Sequence, residues 1–369
     1  MKLKKMIKGL NQLALIALIN FLVLFSQNAK SEVNEYCGEN SKFFASQYNL
    51  NYPSSIYIEV IDSNKWFTRV LRSIYSKSGR IDKKYKKYQK ARVTVNYENK
   101  FKCIFKGSVR IHGGGNDHID SSTLSSSIRV KLEDGHIGHK YNFALIIART
   151  DKIGGRDASE EIFASSLFEE LGYISPLHFN LKVRINSEID RDYIFVEIPT
   201  LEMAKDKGRN NGIFLAGNKN NFSDKKNLGS YPNSLILNRI KTPFSVSKRN
   251  KDVLLYSLDK LNYINLNSHG IGNGEDCCTQ DNTAEDEILK KLYKQRLYNL
   301  NINNHISKES VEKSSIFNLL LNITNAHHGL SAEDRVYFYD PMFDTIEPVY
   351  NDADSNILKK EKLEFSRVF

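Results

Sequence analysis

From residue 91 to 148 apolar and polar side chains alternate with a period of two, and the chain then shifts to a helical period before the alternation resumes. ARVTVN and KFKCIFKGSVRI flank a turn at Glu98 and Asn99, which predicts an antiparallel hairpin. SSIRVKLED (126–134) and KYNFALII (140–147) continue as strands, so a meander of four strands is expected. The helix that follows is punctuated by Asp157 as N-cap, by Glu160 three residues on, and by Gly172 at its end. Its apolar stripe reads Phe163, Leu167, Phe168 and Leu171. LHFNLKVRIN and YIFVEI form a second hairpin across 187–192. Ahead of all this, SIYIEV (55–60) reads as a strand and FTRVLRSIY (67–75) as a helix.

From 199 the pattern turns helical and polar. Stretches rich in Asn, Asp and Gly at 218–233 and 268–286 read as surface insertions, and 286–300 as a helix. In SKESVEKSSIFNLLLNITNA the residues Ile316, Leu319, Leu320 and Ile323 share a helical face, and VYFY (336–339) is a strand. The organisation expected is an N-terminal extension at 30–90, a β-rich lobe over about 91–198 and a helical lobe over about 199–369.

Composition changes this picture at the N-terminus. The chain of 369 residues is 40% hydrophobic and 26% charged, which excludes a disordered class. Lys2, Lys4, Lys5 and Lys8 precede an apolar run at 13–25, shorter than the roughly 20 residues a spanning helix needs. That layout predicts a signal peptide at 1–29, cut after Ala29, and an exported protein in the periplasm, envelope or medium. Membrane contact is expected only if this segment stays uncleaved. Cleavage removes four lysines and no acid, so the formal net charge of +10 becomes +6. Eight basic residues against Asp82 at 76–92 fit either an anionic surface or a solvated face, and no nucleic-acid motif accompanies them. Cys37, Cys103, Cys277 and Cys278 lack metal-ligand spacing and allow one or two disulfides in three pairings.

Three groups carry candidate chemistry. Gly113, Gly114 and Gly115 follow a strand bearing Arg110, so their N–H groups can cradle an anion, or they form a bare turn. IRVKL gives Arg129 and Lys131 the same facing, and Glu160 or Glu161 on the next helix can hold such a lysine against a phosphate. In NAHHGLSAEDRVYFYDPMFDTIEPVYNDAD (325–354), Asp352 and Asp354 point to one side of an extended segment and Asp334 lies before the strand. Carboxylates so placed hold a hard cation such as Mg²⁺ or form a polar loop; with His327 and His328 they offer a Zn²⁺ alternative.

These segments, in this order, resemble the spore coat protein H (CotH) kinase family from about Ala91 to Asp354. The likeness rests on VTVNYENKFKCIFKGSVRIHGGGND, SSIRVKL with FALIIARTD, the stretch from RDASEEIF to EIPTLEMA, GRNNGIFLAGN, and the closing window. It implies an α+β, two-lobed protein-kinase-like fold; since the sequence stops at KLEFSRVF, soon after the closing window, either the helical lobe is abbreviated or the sequence is a fragment. It further implies phosphoryl transfer from ATP, with Mg²⁺ or Mn²⁺, to a protein or envelope acceptor. By the same resemblance Lys131 contacts phosphate with Glu160 or Glu161 as partner, and Asp334 with Asp352 or Asp354 holds metal. Arg110 and the three glycines, read from their own residue types, are expected to hold phosphates beside them. The family's catalytic aspartate falls on Gly329, so His328 beside it is expected to orient the acceptor. A non-catalytic scaffold for envelope or coat assembly and a metal-dependent hydrolase are the alternatives.

Overall fold

The computed structural model describes residues 52–76, 79–98, 101–115, 118–148, 158–186, 188–209, 212–216, 239–240, 256–257, 260–261, 308–330 and 334–357. The predicted signal peptide, Asp157, both insertions, the 286–300 helix and Cys37, Cys277 and Cys278 lie outside these residues. The chain divides into two compact units: one runs to Ile147 and takes in Asn180–Ile194, and the other comprises Ala148–Phe179 and Phe195 onward.

The period-two segments build a closed barrel in the first unit. Its strands are β1 (Ser55–Val60), β2 (Gln89–Asn96), β3 (Lys102–Ile111), β6 (Ile128–Leu132), β7 (Asn142–Ile147), β9 (Arg191–Glu197) and β8 (His178–Ile185), in that spatial order. Two short strands, β4 (Ile119–Asp120) and β5 (Ser125–Ser126), pair beside it. Alternate residues such as Ile56, Ile58, Val93, Val95, Phe105, Val109, Ile128, Val130, Phe143 and Leu145 are buried, as period two requires of an interior. β1 closes the ring. It pairs antiparallel with β2 and parallel with β8, Ser55 opposite Lys182 and Ile58 opposite Ile185. The strand read as part of an extension is therefore a barrel stave. Helix α1 (Ser63–Ile74), capped by the Asp62 carboxylate on Lys65 N–H, packs on β1 through Trp66 and Val70. Cys103, buried in β3, is disulfide-bonded.

At one end of the barrel Arg191 pairs with Asp120 at 2.7 Å, and Ser125 donates to Glu188 at 3.0 Å. Burial raises the Asp120 carboxyl, but hydrogen bonds from Ser122, Thr123 and Arg191 outweigh it and bring it down to about 2. Glu188 is pushed up to about 7, chiefly by burial, against the opposing pull of Ser125 and Arg191. The folded chain therefore keeps a proton that the unfolded chain releases between the ordinary carboxyl range and pH 7. Glu188's contribution to stability is greatest at acid pH and falls as pH rises through 7. Asp120 works in a lower window, its contribution being lost only as pH falls toward 2. Raising pH from 5 to 8 is expected to lower barrel stability by about 1–2 kcal/mol after allowance for solvent screening, read by fluorescence of the lone, buried Trp66. Glu188→Gln flattens that dependence.

The second unit corrects the fold expectation. A two-lobed kinase-like fold with a mainly helical C-terminal lobe is not what the chain adopts: a closed seven-stranded mixed barrel stands where an open lobe was expected, and the second unit is built on a sheet. Four α-helices occur among the described residues: α1, α2 (Ala158–Glu170), α3 (Leu201–Asp206) and α4 (Lys308–Ile323). The sheet runs β11 (Arg239–Ile240), β10 (Ile213–Ala216), β12 (Val336–Asp340), β13 (Thr345–Val349), antiparallel throughout. IFLA in β10 and VYFYD in β12 are buried at every position, so they show no alternation to read. One face packs Phe214, Val336, Phe338 and Val349 against Ile174, Met203 and Ala204. The other packs Ile213, Leu215, Tyr337, Tyr339 and Ile346 with Leu261.

The helices form where expected but turn differently. In α2 the buried positions are Glu161, Ala164, Ser165 and Phe168, while Phe163 and Leu171 are exposed. In α4 Phe317 and Leu321 are buried, while Ile316 and Ile323 are exposed. The cause is an aromatic cluster. Phe168 lies 4.9 Å from Phe317 and 4.7 Å from Tyr350, and Tyr173 lies 5.2 Å from Phe317. Each such ring pair contributes about 0.5–1.5 kcal/mol beyond its burial. This outweighs an aliphatic stripe of similar size one position round the helix.

Candidate cation site

Three segments of the second unit meet at the ends of β12 and β13. A 3-10 turn, His327–Leu330, follows α4; Asp334 precedes β12; residues 350–357 leave β13 as a strap. Asp352 and Asp354 both have left-handed backbone, φ 53° and 55°. Aspartate tolerates that region better than most residues because its short polar side chain hydrogen-bonds locally. Asn351 Nδ2 donates to the Asp334 carbonyl at 3.1 Å, and Asn325 Nδ2 to the Asn356 carbonyl at 3.0 Å. Ala353 packs into the aromatic cluster with no exposure.

Here His328, Asp334 and Asp352 each place one ligand-capable atom within 4.8 Å of the other two. His328 is half exposed, whereas Asp334 is 5% exposed. His328 Nδ1 lies 2.8 Å from the Asp352 carbonyl oxygen, an acceptor only, so Nδ1 carries the proton and Nε2 of the neutral ring carries a lone pair. Nε2 faces Asp334 Oδ2 at 3.2 Å. Two lone pairs at that distance repel unless a second proton or a cation lies between them. A metal-ligating histidine is normally held by its other N–H on a carbonyl or carboxylate, and that is the arrangement present. One imidazole and two carboxylates suit Mn²⁺ or another borderline divalent ion better than Mg²⁺, which prefers oxygen alone. The residues therefore fit a divalent cation.

Among the residues the sequence singled out, the cluster takes in His328, Asp334 and Asp352 and leaves out His327 and Asp354. Glu160 and Glu161, expected beside Lys131, accept strap N–H groups: Glu161 Oε2 from Ser355 N at 3.0 Å, and Glu160 from Ile357 N. Gly329 is buried in the 3-10 turn, where an added Cβ would stand 3.1 Å from both Ala353 Cβ and Leu321 Cδ2. A side chain there would need Ala353 and Leu321 to give way by a few tenths of an ångström.

In the barrel unit, Arg110 and Arg129 stand opposite each other on β3 and β6, and Lys131 is exposed two pairs along, opposite Ser108. Arg110 donates to the Ile111 carbonyl and lies over Tyr88 at 5.4 Å; Arg129 Nε donates to Asn142. Burial lowers the Arg129 pKa, and the Arg110 charge pushes the same way. Neither guanidinium forms a salt bridge with a described carboxylate. Gly113 has φ 90°, and a Cβ there would fall 1.9 Å from the His118 ring. The Gly114 carbonyl accepts from Ile81 N–H at 2.9 Å, so the glycine turn docks its own chain. Sequence reading missed the strap's anchors, Tyr350, Asn351 and His178, because nothing local marks a residue whose partner lies far along the chain.

The fold and site thus define an α+β protein, part barrel and part sheet, with a candidate divalent-cation centre on the sheet-bearing unit. No protein-family profile and no curated protein sequence matches the chain.

Proposed function

We propose that this exported protein is a divalent-cation-dependent phosphotransferase that moves a phosphoryl group from a nucleotide to a protein or envelope acceptor. The cluster of His328, Asp334 and Asp352 carries the reading. A bound cation would offset charge on phosphate oxygens, the main requirement of phosphoryl transfer. The protein's own part is to hold the ligands: Asp352's carbonyl fixes the tautomer of His328, and burial of Asp334 keeps water from competing. In this role His328 is a ligand, not the group that orients an acceptor. The two-lobed kinase architecture forms no part of the proposal.

Glycine at position 329, where the resemblance places a catalytic carboxylate, favours a second reading, hydrolysis with water as acceptor. One assay separates them: full-length protein with Mn²⁺ or Mg²⁺ and γ-labelled ATP. Label on the protein or on an added acceptor indicates transfer, and release of inorganic phosphate indicates hydrolysis. Nucleotide-dependent thermal stabilisation with neither product indicates a non-catalytic scaffold. Absence of any divalent-ion binding rejects all three roles for the site.

A further inference from the structure

We infer that Glu161 is a positioning residue for the cation site, holding the strap that presents Asp352; this rests on the cation-site reading above. Glu161 sits in the first turn of α2 with no exposure. One oxygen accepts from Ser355 N–H at 3.0 Å, three residues after Asp352. The other, Oε1, has no hydrogen-bond partner among the described residues and lies 3.8 Å from His178 Nε2. A buried carboxylate with an orphan oxygen costs stability, and a helix that needed only to pack here would do better with Met or Leu. The order Ser165, His178, Glu161 superficially matches a nucleophilic triad. Ser165 is 2% exposed, though, and its hydroxyl donates to the Pro176 carbonyl at 2.6 Å, so no substrate reaches it.

What the carboxylate secures is the far end of the strap. Tyr350 OH and Ser355 Oγ lie 2.8 Å apart across it, and His178 stands edge-on to Tyr350 at 6.1 Å. Asp352 is thus fixed from both sides, by His328 and Asn351 in front and by the Ser355 anchor behind. Outer groups that orient ligands are typically worth about 10–100-fold in metal affinity.

The test is Mn²⁺ affinity, read by electron paramagnetic resonance of free Mn²⁺, for the full-length wild type, Glu161→Met and Glu161→Gln. Glu161→Met is expected to bind about tenfold more weakly, with an unchanged or higher melting temperature, because it loses the anchor and the orphan oxygen together. Glu161→Gln keeps an acceptor for Ser355 N–H and stays within about twofold of wild type. Met203→Ala, in the sheet core, lowers the melting temperature without moving affinity and so separates looseness from positioning. Wild-type affinity in Glu161→Met overturns the inference alone, as does a fall that merely tracks melting temperature across both variants. A wild type that binds no Mn²⁺ overturns the cation site and this inference together.

Discussion

Alanine at Asp352 or at Asp334 is expected to lower Mn²⁺ affinity by about 100-fold or more, while alanine at Asp354 leaves it within about twofold. The asymmetry follows from geometry, since all three are aspartates in one acidic window and only two share the cluster with His328. Asp354 also follows a left-handed turn, but Ala353 between them is anchored in the core, and its side chain is not among the clustered ligands. A solvated acidic loop would show small, equal losses at all three positions. Titration calorimetry on the purified variants distinguishes the two, and equal losses would reject the site. His328→Gln removes the imidazole that distinguishes this donor set from an all-oxygen one, so it should weaken Mn²⁺ more than Mg²⁺.

Gly212→Ala is expected to destabilise the second unit by about 3 kcal/mol, at the upper end of what overpacking costs. A Cβ on Gly212 would stand 1.9 Å from Phe338 Cζ and under 2.6 Å from two further ring atoms. The ring cannot retreat. It has no exposure and lies 5.1 Å edge-on to Phe214 within the packed face of the sheet. Because the conflict is pairwise, Phe338→Leu, which lacks the far ring atoms, should relieve part of it. The double variant is then more stable than the sum of the singles predicts. Urea unfolding followed by circular dichroism measures this, and strict additivity would show that Gly212 matters for another reason.

The acidic window was legible from its residue types, and the structure brings His328, Asp334 and Asp352 of it together. Glu160 and Glu161 are occupied by strap N–H groups, a contact spanning nearly 200 residues that no local pattern encodes. His328 was expected to act on an acceptor, yet its ring is committed on both nitrogens to Asp352 and Asp334. The glycine after His328 marked a departure from the resemblance, and it packs closely against Ala353 and Leu321.

The barrel's staves were legible because the signal is local: in ARVTVN, KCIFKGSV and IRVKL each side chain's face is set by its immediate neighbours, through the pleat. SIYIEV was recognised over the residues it occupies, 55–60, on the same ground. Its parallel pairing with β8 was not, because nothing within either strand names a partner some 125 residues away. VYFY was read as a strand and lies in β12, whereas IFLA, buried on both faces, carries no period to read. Phe317 is buried in place of the expected Ile316, and of the expected stripe in α2 Phe168 is buried and Phe163 is not, because Phe317 and Phe168 find each other from separate segments. By itself the amino-acid sequence determined strand faces, helix positions and the residue types for a cation. Tertiary packing decided closure, which helix face is buried, and which carboxylates meet, because those energies arise only between segments distant along the chain.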